Sequence, residues 1–262
     1  MLLHLIADYG HGDLAFAEVV QRFKLYLPEA EPVLTPVPSF ATLAAGFCIA
    51  QLALNPAPGE MVIFHNIAPR ADDESARGEN QGEELAYARL PNGVQVIGVN
   101  AGHTFSFLRD EAEELRRVNV PAEGSQFRSR DLFPEAAAHI LRGEPEALGD
   151  KIRDIPDIPA DRVAYIDGYG NLKTTVAEGA HSFRNGQRLR VTIGRETLIA
   201  FVSDGSFAVE PGAMAFAPGS SGWKTRDGRK SRWLELFLRG GSAAEKFGHP
   251  KSSDAIQFTP AG

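Results

Sequence analysis

Apolar positions in the first part of the chain change spacing over a short distance. Leu2, Leu3, Leu5 and Ile6 form a strand-like run that breaks into Asp8-Tyr9-Gly10-His11-Gly12-Asp13. The pattern restarts at Phe16, Val19, Val20 and Phe23 with helical spacing. A strand, a tight glycine-bearing turn and a helix make the opening unit of an open α/β sheet. In such sheets ligands bind at the carboxyl ends of the strands, which is where Asp8 and Asp13 fall.

The alternation continues. Val33-Leu34-Thr35 reads as the next strand. A helical stripe of Phe40, Leu43, Ala44, Phe47, Ala50 and Leu54 stops at Asn55-Pro56. Met61-Val62-Ile63-Phe64 is a short continuous apolar run, as expected of a strand buried on both faces, and it ends in His65-Asn66. Ala71 to Glu84 is a charged stretch without periodicity, a loop long enough to expect function or mobility. Leu85 to Leu90 and Val94 to Val99 flank Pro91-Asn92-Gly93, a hairpin signal. Phe133, Ala136, Ala137, Ile140 and Leu141 form the apolar face of a helix ending at Arg142-Gly143, with Asp131 as its expected N-cap.

Pro145, Pro156 and Pro159 then interrupt a stretch of little periodicity, and the character of the chain changes beyond it. Val163 to Ile166, Leu172 to Val176, Leu189 to Ile193, Thr197 to Val202 and Trp233 to Leu238 are short β-rich runs, separated by Gly, Asn and Asp turns at barrel-like intervals. The expected fold class is α/β. A Rossmann-like open α/β sheet domain occupies residues 1–143, a linker 144–161, and a smaller C-terminal β-barrel domain 162–262.

Composition narrows the function. With 262 residues the chain can bury a sizeable core. A net charge of -7, with both signs mixed throughout, argues against a nucleic-acid face. The single cysteine, Cys48, permits no intramolecular disulfide or thiolate metal cluster and fits the cytoplasm. No stretch approaches the ~20 apolar residues of a membrane span, and the N-terminus lacks the basic start of a signal peptide. Neither a membrane nor nucleic acid is expected as a partner. None of the seven histidines shows metal-ligand spacing, so no metal is expected.

Gly10, Gly12 and Ala15 also spell the G-x-G-x-x-A dinucleotide fingerprint. Carboxylates on both sides of those glycines would repel a pyrophosphate, and no acidic residue follows Val33-Leu34-Thr35 to hold a ribose. A nicotinamide-dependent oxidoreductase is therefore a distant reading. Paired carboxylates here better suit a ligand with hydroxyls or positive charge.

Several motifs occur together in one order: Asp8-Tyr9-Gly10 with Asp13; Phe127 to Asp131 leading into Ala137-Ala138-His139; Ile166-Asp167-Gly168-Tyr169-Gly170-Asn171; and Gly241-Ser242-Ala243-Ala244-Glu245. Over roughly residues 2 to 248 the chain resembles the S-adenosylmethionine hydroxide adenosyltransferases, the group that also contains the fluorinase and chlorinase. The resemblance implies an N-terminal α/β domain, a C-terminal β-barrel, and a homotrimer with ligand sites between neighbouring subunits. It also implies displacement of methionine from S-adenosylmethionine by attack at the ribose 5′ carbon. No cofactor is implied beyond S-adenosylmethionine itself, as substrate or ligand.

By the same resemblance Asp8 binds the ribose, and a strand-end carboxylate is a strong acceptor for a sugar diol. Asp167 and Asn171 match positions that hold the methionine amino and carboxylate groups. Phe127, Ser221 and the backbone around Ala243 and Ala244 match parts of the adenosyl and methionine pocket. Plainer roles stay open: Asp8 as a helix cap, and Asp167 with Asn171 as ordinary turn chemistry.

The departures fall on the chemistry. Hydroxide-using members carry an aspartate where this chain has Asn66, followed by Pro-Gly-Val-Gly and an arginine; here the residues are Ile67-Ala68-Pro69-Arg70. Arg70 and Arg77 both remain open as the arginine. The family histidine is replaced by Arg128, next to Ser129. An amide cannot take a proton from water, nor can a guanidinium at neutral pH. Asn66, Arg128 and Ser129 are the residues expected to position a nucleophile. Arg128 beside Ser129 would offer an anion pocket, unless Arg128 and Arg130 are solvated or pair with the acidic loop. The first expectation is S-adenosylmethionine binding, with hydrolysis to adenosine and methionine by water. The alternatives are a non-catalytic adenosine or S-adenosylmethionine binder and an enzyme using halide or another anion.

Overall fold

The computed structural model describes residues 1–67, 82–121 and 124–261. The polar loop expected from Ala71 to Glu84 lies almost wholly outside them, as do Arg70 and Arg77. Among the described residues the protein is a mixed α/β structure with two seven-stranded sheets, one in each of two compact units, Met1–Asp157 and Ile158–Gly262.

The first unit follows the alternation of the sequence. Strand β1 (Leu2–Ala7) leads through the glycine turn into α1 (Leu14–Tyr26), then β2 (Glu31–Pro36), α2 (Thr42–Ala53) and β3 (Met61–Asn66). Next come the hairpin β4 (Leu85–Arg89) and β5 (Gln95–Val99), β6 (Glu114–Val118), the single turn α3 (Arg128–Asp131) and α4 (Phe133–Leu141). The sheet runs β2-β1-β3-β5-β4-β6 and ends on β7 (Leu148–Lys151). Strands β2, β1, β3 and β5 are parallel, and β4, β6 and β7 add antiparallel pairs. Pro32 and Pro36, which donate no backbone hydrogen bond, confine β2 to the edge.

The pleat sorts the core. Leu3, Leu5 and Ala7 of β1, with Val62 and Phe64 of β3, pack with Phe16, Val19 and Phe23 of α1 and with Phe133, Ala137 and Ile140 of α4. Alternate residues face the other way, and α2 packs against β1 and β3.

Two local expectations need correction. Asp131 does not cap α4; it lies in α3 and its carboxylate binds Arg130, while Leu132 precedes α4 without a side-chain cap. The stretch 144–161 is not wholly a linker, because Pro145–Ala147 form a 3-10 turn and β7 pairs with β6. Two short strands with weak alternation, β6 and β7, escape the pattern.

The second unit is β-rich: β8 (Val163–Ile166), β9 (Leu172–Ala177), β10 (Arg188–Ile193), β11 (Glu196–Val202), β12 (Met214–Lys224), β13 (Lys230–Leu238), the single turn α5 (Ala243–Lys246) and β14 (Ile256–Pro260). Their order is β14-β10-β11-β12-β13-β9-β8, and the edges meet in one bridge, Arg162 to Ala255. Leu189, Val191 and Ile193 point into the core from β10, while Arg188 and Arg190 point out. Pro218 to Gly222, which reads as a small-residue turn, instead forms a register shift inside β12. At Gly222 φ is +144°, and a Cβ would lie 2.3 Å from the Ser231 carbonyl oxygen. Among the described residues no helix is long and apolar enough to cross a membrane.

Candidate functional site

Asp8 and Asn66 stand next to each other at the carboxyl ends of β1 and β3. The register pairs Ala7 with Asn66, and the Asp8 amide donates to the Asn66 carbonyl at 3.4 Å. The Asp8 carboxylate accepts the Phe40 amide at 3.0 Å. Phe40 has φ +63°, a left-handed conformation costly for a bulky side chain, and it is exposed. A carboxylate has about four acceptor directions, so a bond to Phe40 is compatible with further donors.

Asp8 is not the helix cap. That role belongs to Asp13, whose Oδ1 accepts the Ala15 amide at 2.9 Å. The positive end of α1 therefore already has a carboxylate on it, which counts against a pyrophosphate at the Gly10-Gly12 turn.

Behind Asp8, Tyr9 turns toward α3. Its hydroxyl and the Ser129 hydroxyl lie 2.6 Å apart, and its ring meets Phe16 and Phe127 edge-on at 5.1 and 6.1 Å. Burial pushes the Tyr9 phenol up from its ordinary value, with the Asp8 and Asp13 carboxylates adding to it and the Ser129 bond opposing it. Ser129 is thus buried at the end of β1, beside Phe127.

Arg128 is also buried, but its guanidinium is used differently. Nη1 donates to the Glu83 carbonyl at 2.9 Å and Nη2 to the Pro121 carbonyl at 2.7 Å, while the group lies 5.1 Å from the Phe133 ring centre. Burial lowers its pKa, opposed by Glu83. Arg130 stacks over Phe127 at 4.9 Å and pairs with Asp131 and Glu18. Its bonds hold the Asp131 carboxyl down to about 2. Arg128 is thus engaged by two backbone carbonyls, with its buried Nε lacking a hydrogen bond, and Arg130 by Asp131 and Glu18.

His65 precedes Asn66 and is fully buried, with neither ring nitrogen hydrogen-bonded. Its ring lies against Gly98, where a Cβ would come within 2.3 Å, and 5.0 Å from Phe105. Burial pushes its pKa down to about 3, so it is neutral and faces the core. His11 in the glycine turn is exposed, and His139 of α4 pairs with Glu144.

The second unit brings the other expected residues together. Asp167, in the turn after β8, accepts from the Tyr169 and Asn171 amides through Oδ1, each at 3.0 Å, and from the Asn171 side chain through Oδ2 at 3.0 Å. Gly170 has φ +78°, and a Cβ there would lie 2.0 Å from the Ser242 hydroxyl oxygen. The Gly170 carbonyl accepts the Ala244 amide at 2.9 Å, so the turn rests on the start of α5 beside the buried Ala243.

Two residues with no assigned role in the sequence complete this cluster. Lys173 Nζ lies 2.9 Å from Glu235 Oε2 and 3.7 Å from Asp167 Oδ2. Glu235 is fully buried, and its Oε1 accepts the Ser221 hydroxyl at 2.6 Å and amide at 3.2 Å. The available signal was a glutamate inside the apolar run Trp233-Leu234-Glu235-Leu236, since a buried carboxylate requires partners.

A groove of about 590 Å³, lined by Met1, Tyr26, Leu27, Glu60, Gln95 and Arg142, opens at the amino ends of β1, β3 and β5. That is the end of the sheet opposite Asp8 and Asn66.

Comparison with protein-family models gives no match, and neither does comparison with curated proteins. Solved structures do match. An uncharacterized conserved protein from Thermotoga maritima is 20% identical, aligns over 98% of this chain and 100% of its own, and has a TM-score of 0.75. A conserved hypothetical protein from Thermus thermophilus is also 20% identical, over 98% and 99% of the two chains, with a TM-score of 0.64. At this identity the chain shares a fold with both proteins, and the likeness extends no further.

Proposed function

We propose that this chain binds S-adenosylmethionine or a related adenosyl ligand without activating water for attack on it. The carrying observation is the strand-end pair of Asp8 and Asn66: an acceptor suited to a ribose diol, beside an amide where the resembled enzymes use a carboxylate. Asp8 takes the diol, Phe127 lies along the adenosyl part, and Asp167, Asn171, Ser221 and the Ala243 backbone take the methionine end. Asn66 has no basic atom, Arg128 donates to two carbonyls and Ser129 bonds Tyr9. These commitments support binding over hydrolysis, and over a halide-using reaction at Arg128 and Ser129.

The architecture that the resemblance implies belongs to the same reading. Four parallel strands, three of them joined in succession by the helices α1 and α2, support a Rossmann-like first domain, and the bridge between the edge strands supports a barrel in the second. A homotrimer, with Asp8 and the Asp167 cluster of neighbouring subunits serving one ligand, is part of it as well. Exposed Val33 and Leu34 on edge strand β2, with Phe40 beyond, support side-chain association there. The single cysteine suits a cytoplasmic setting.

Calorimetry with adenosine and with S-adenosylmethionine tests the proposal, alongside chromatography of the mixture after hours. Both ligands should bind, no adenosine should appear, and Asp8→Asn should weaken both by about tenfold, since a charged acceptor bonds more strongly than a neutral one. Absence of heat with either ligand, or unchanged affinity in Asp8→Asn, rejects binding at this site. Release of adenosine instead establishes the hydrolase reading, and a chloride-dependent 5′-halo-nucleoside the halide one.

A further inference from the structure

Glu235 touches none of the residues the sequence marks for the amino-acid end of the ligand except Ser221, yet it organises the charge among them. Its two carboxylate oxygens are divided: Oε1 takes the Ser221 amide and hydroxyl, and Oε2 takes Lys173. The space is tight, because a Cβ on Gly219 would lie 1.9 Å from the Glu235 carboxyl carbon. Lys173 is largely buried and lies between two acids, nearer Glu235 at 2.9 Å than Asp167 at 3.7 Å. The trio Asp167, Lys173 and Glu235 carries one positive and two negative charges. Its uncompensated negative charge falls toward Asp167, the acid farther from the ammonium and the more exposed of the two.

We infer that Glu235 is a positioning residue that draws Lys173 away from Asp167, leaving the Asp167 carboxylate charged toward an ammonium-bearing amino-acid group of the ligand. The inference rests on the proposed adenosyl-binding function and adds to it a reason for selectivity. A ligand with an α-ammonium meets net negative charge, whereas a nucleoside lacking that end is indifferent to it. Without the Glu235 charge, Lys173 pairs fully with Asp167, and the ligand ammonium loses its partner. Ser221 keeps an acceptor if the replacement is an amide, so charge can be separated from shape.

The experiment is calorimetry on the full chain with S-adenosylmethionine and adenosine, using wild type, Glu235→Gln, Lys173→Met and the double variant, each checked for cooperative melting. Glu235→Gln should weaken S-adenosylmethionine by about tenfold or more and leave adenosine within about twofold, because only the former carries the ammonium. Adding Lys173→Met should recover most of the lost affinity, which a merely structural role for Glu235 does not predict. If Glu235→Gln does not fold, the double variant, which has no unpaired buried charge, carries the test: near-wild-type affinity for S-adenosylmethionine supports the inference and its loss overturns it. Equal weakening of both ligands, no weakening, or no recovery in the double variant also overturns it. A wild type that binds neither ligand fails at the earlier step, and that failure is distinct from the variant pattern.

Discussion

The Tyr9 and Ser129 hydroxyls, separated by 120 positions in sequence, lie 2.6 Å apart. This bond ties the end of β1 to the single turn α3, and so fixes the backbone that presents Asp8. Ser129 is buried and Tyr9 partly so, and losing the bond leaves the Ser129 hydroxyl without its partner.

Tyr9→Phe and Ser129→Ala should each cost about 1 kcal/mol in urea unfolding, and the double variant should cost less than their sum. Strict additivity would show that the two hydroxyls do not interact. The same variants should weaken adenosine binding only modestly, since neither removes the Asp8 acceptor.

His65 makes stability depend on pH. Its folded pKa, about 3, lies below the ordinary value of 6.5, so below pH 6.5 the unfolded chain takes up a proton that the folded chain refuses. Its contribution is therefore fully present above 6.5 and is lost as pH falls toward 3. Between pH 7 and pH 4.5 wild type should lose roughly 2 to 3 kcal/mol more than His65→Phe, at about 1.4 kcal/mol per pKa unit. Parallel losses in the two proteins would refute this. Gly98→Ala should destabilise the protein by about 1–3 kcal/mol, because its methyl would meet the His65 ring.

Arg128 joins two separate parts of the chain through the Glu83 and Pro121 carbonyls. A lysine ammonium is a point donor without the planar fork, so Arg128→Lys should lose one of the two bonds and cost about 1–3 kcal/mol. An unchanged denaturation midpoint would show that the guanidinium fork contributes nothing there.

Except for β6 and β7, the first sheet is legible in the sequence because its strands and helices repeat with different periods. The β4–β5 hairpin is marked by Pro91-Asn92-Gly93, and α4 buries four of the five residues of its expected apolar face, Phe133, Ala136, Ala137 and Ile140, together with Pro134 and Ala138, while Leu141 is only partly buried. The cap expected at α4 fails because Asp131 has a stronger partner one residue away: adjacent Arg130 fixes its carboxylate inside α3. Strand β12 is hidden for a related reason. Pro218 to Gly222 has turn composition, and only pairing with β13 accommodates those residues as a bulge in a strand.

The sequence by itself determined the alternation of strands and helices, the change to β-rich structure, the strand-end placement of Asp8 and Asn66, and the presence of an amide and a guanidinium, neither of them a base, at positions 66 and 128. These depend on local spacing and on side-chain chemistry. Only the tertiary structure decided which partners each polar group took: Asp13 rather than Asp8 at the helix end, Arg128 on two carbonyls, Ser129 on Tyr9, and Lys173 between Asp167 and Glu235. A buried polar side chain must find a partner, but that partner is set by how distant strands stack, and no local pattern encodes it.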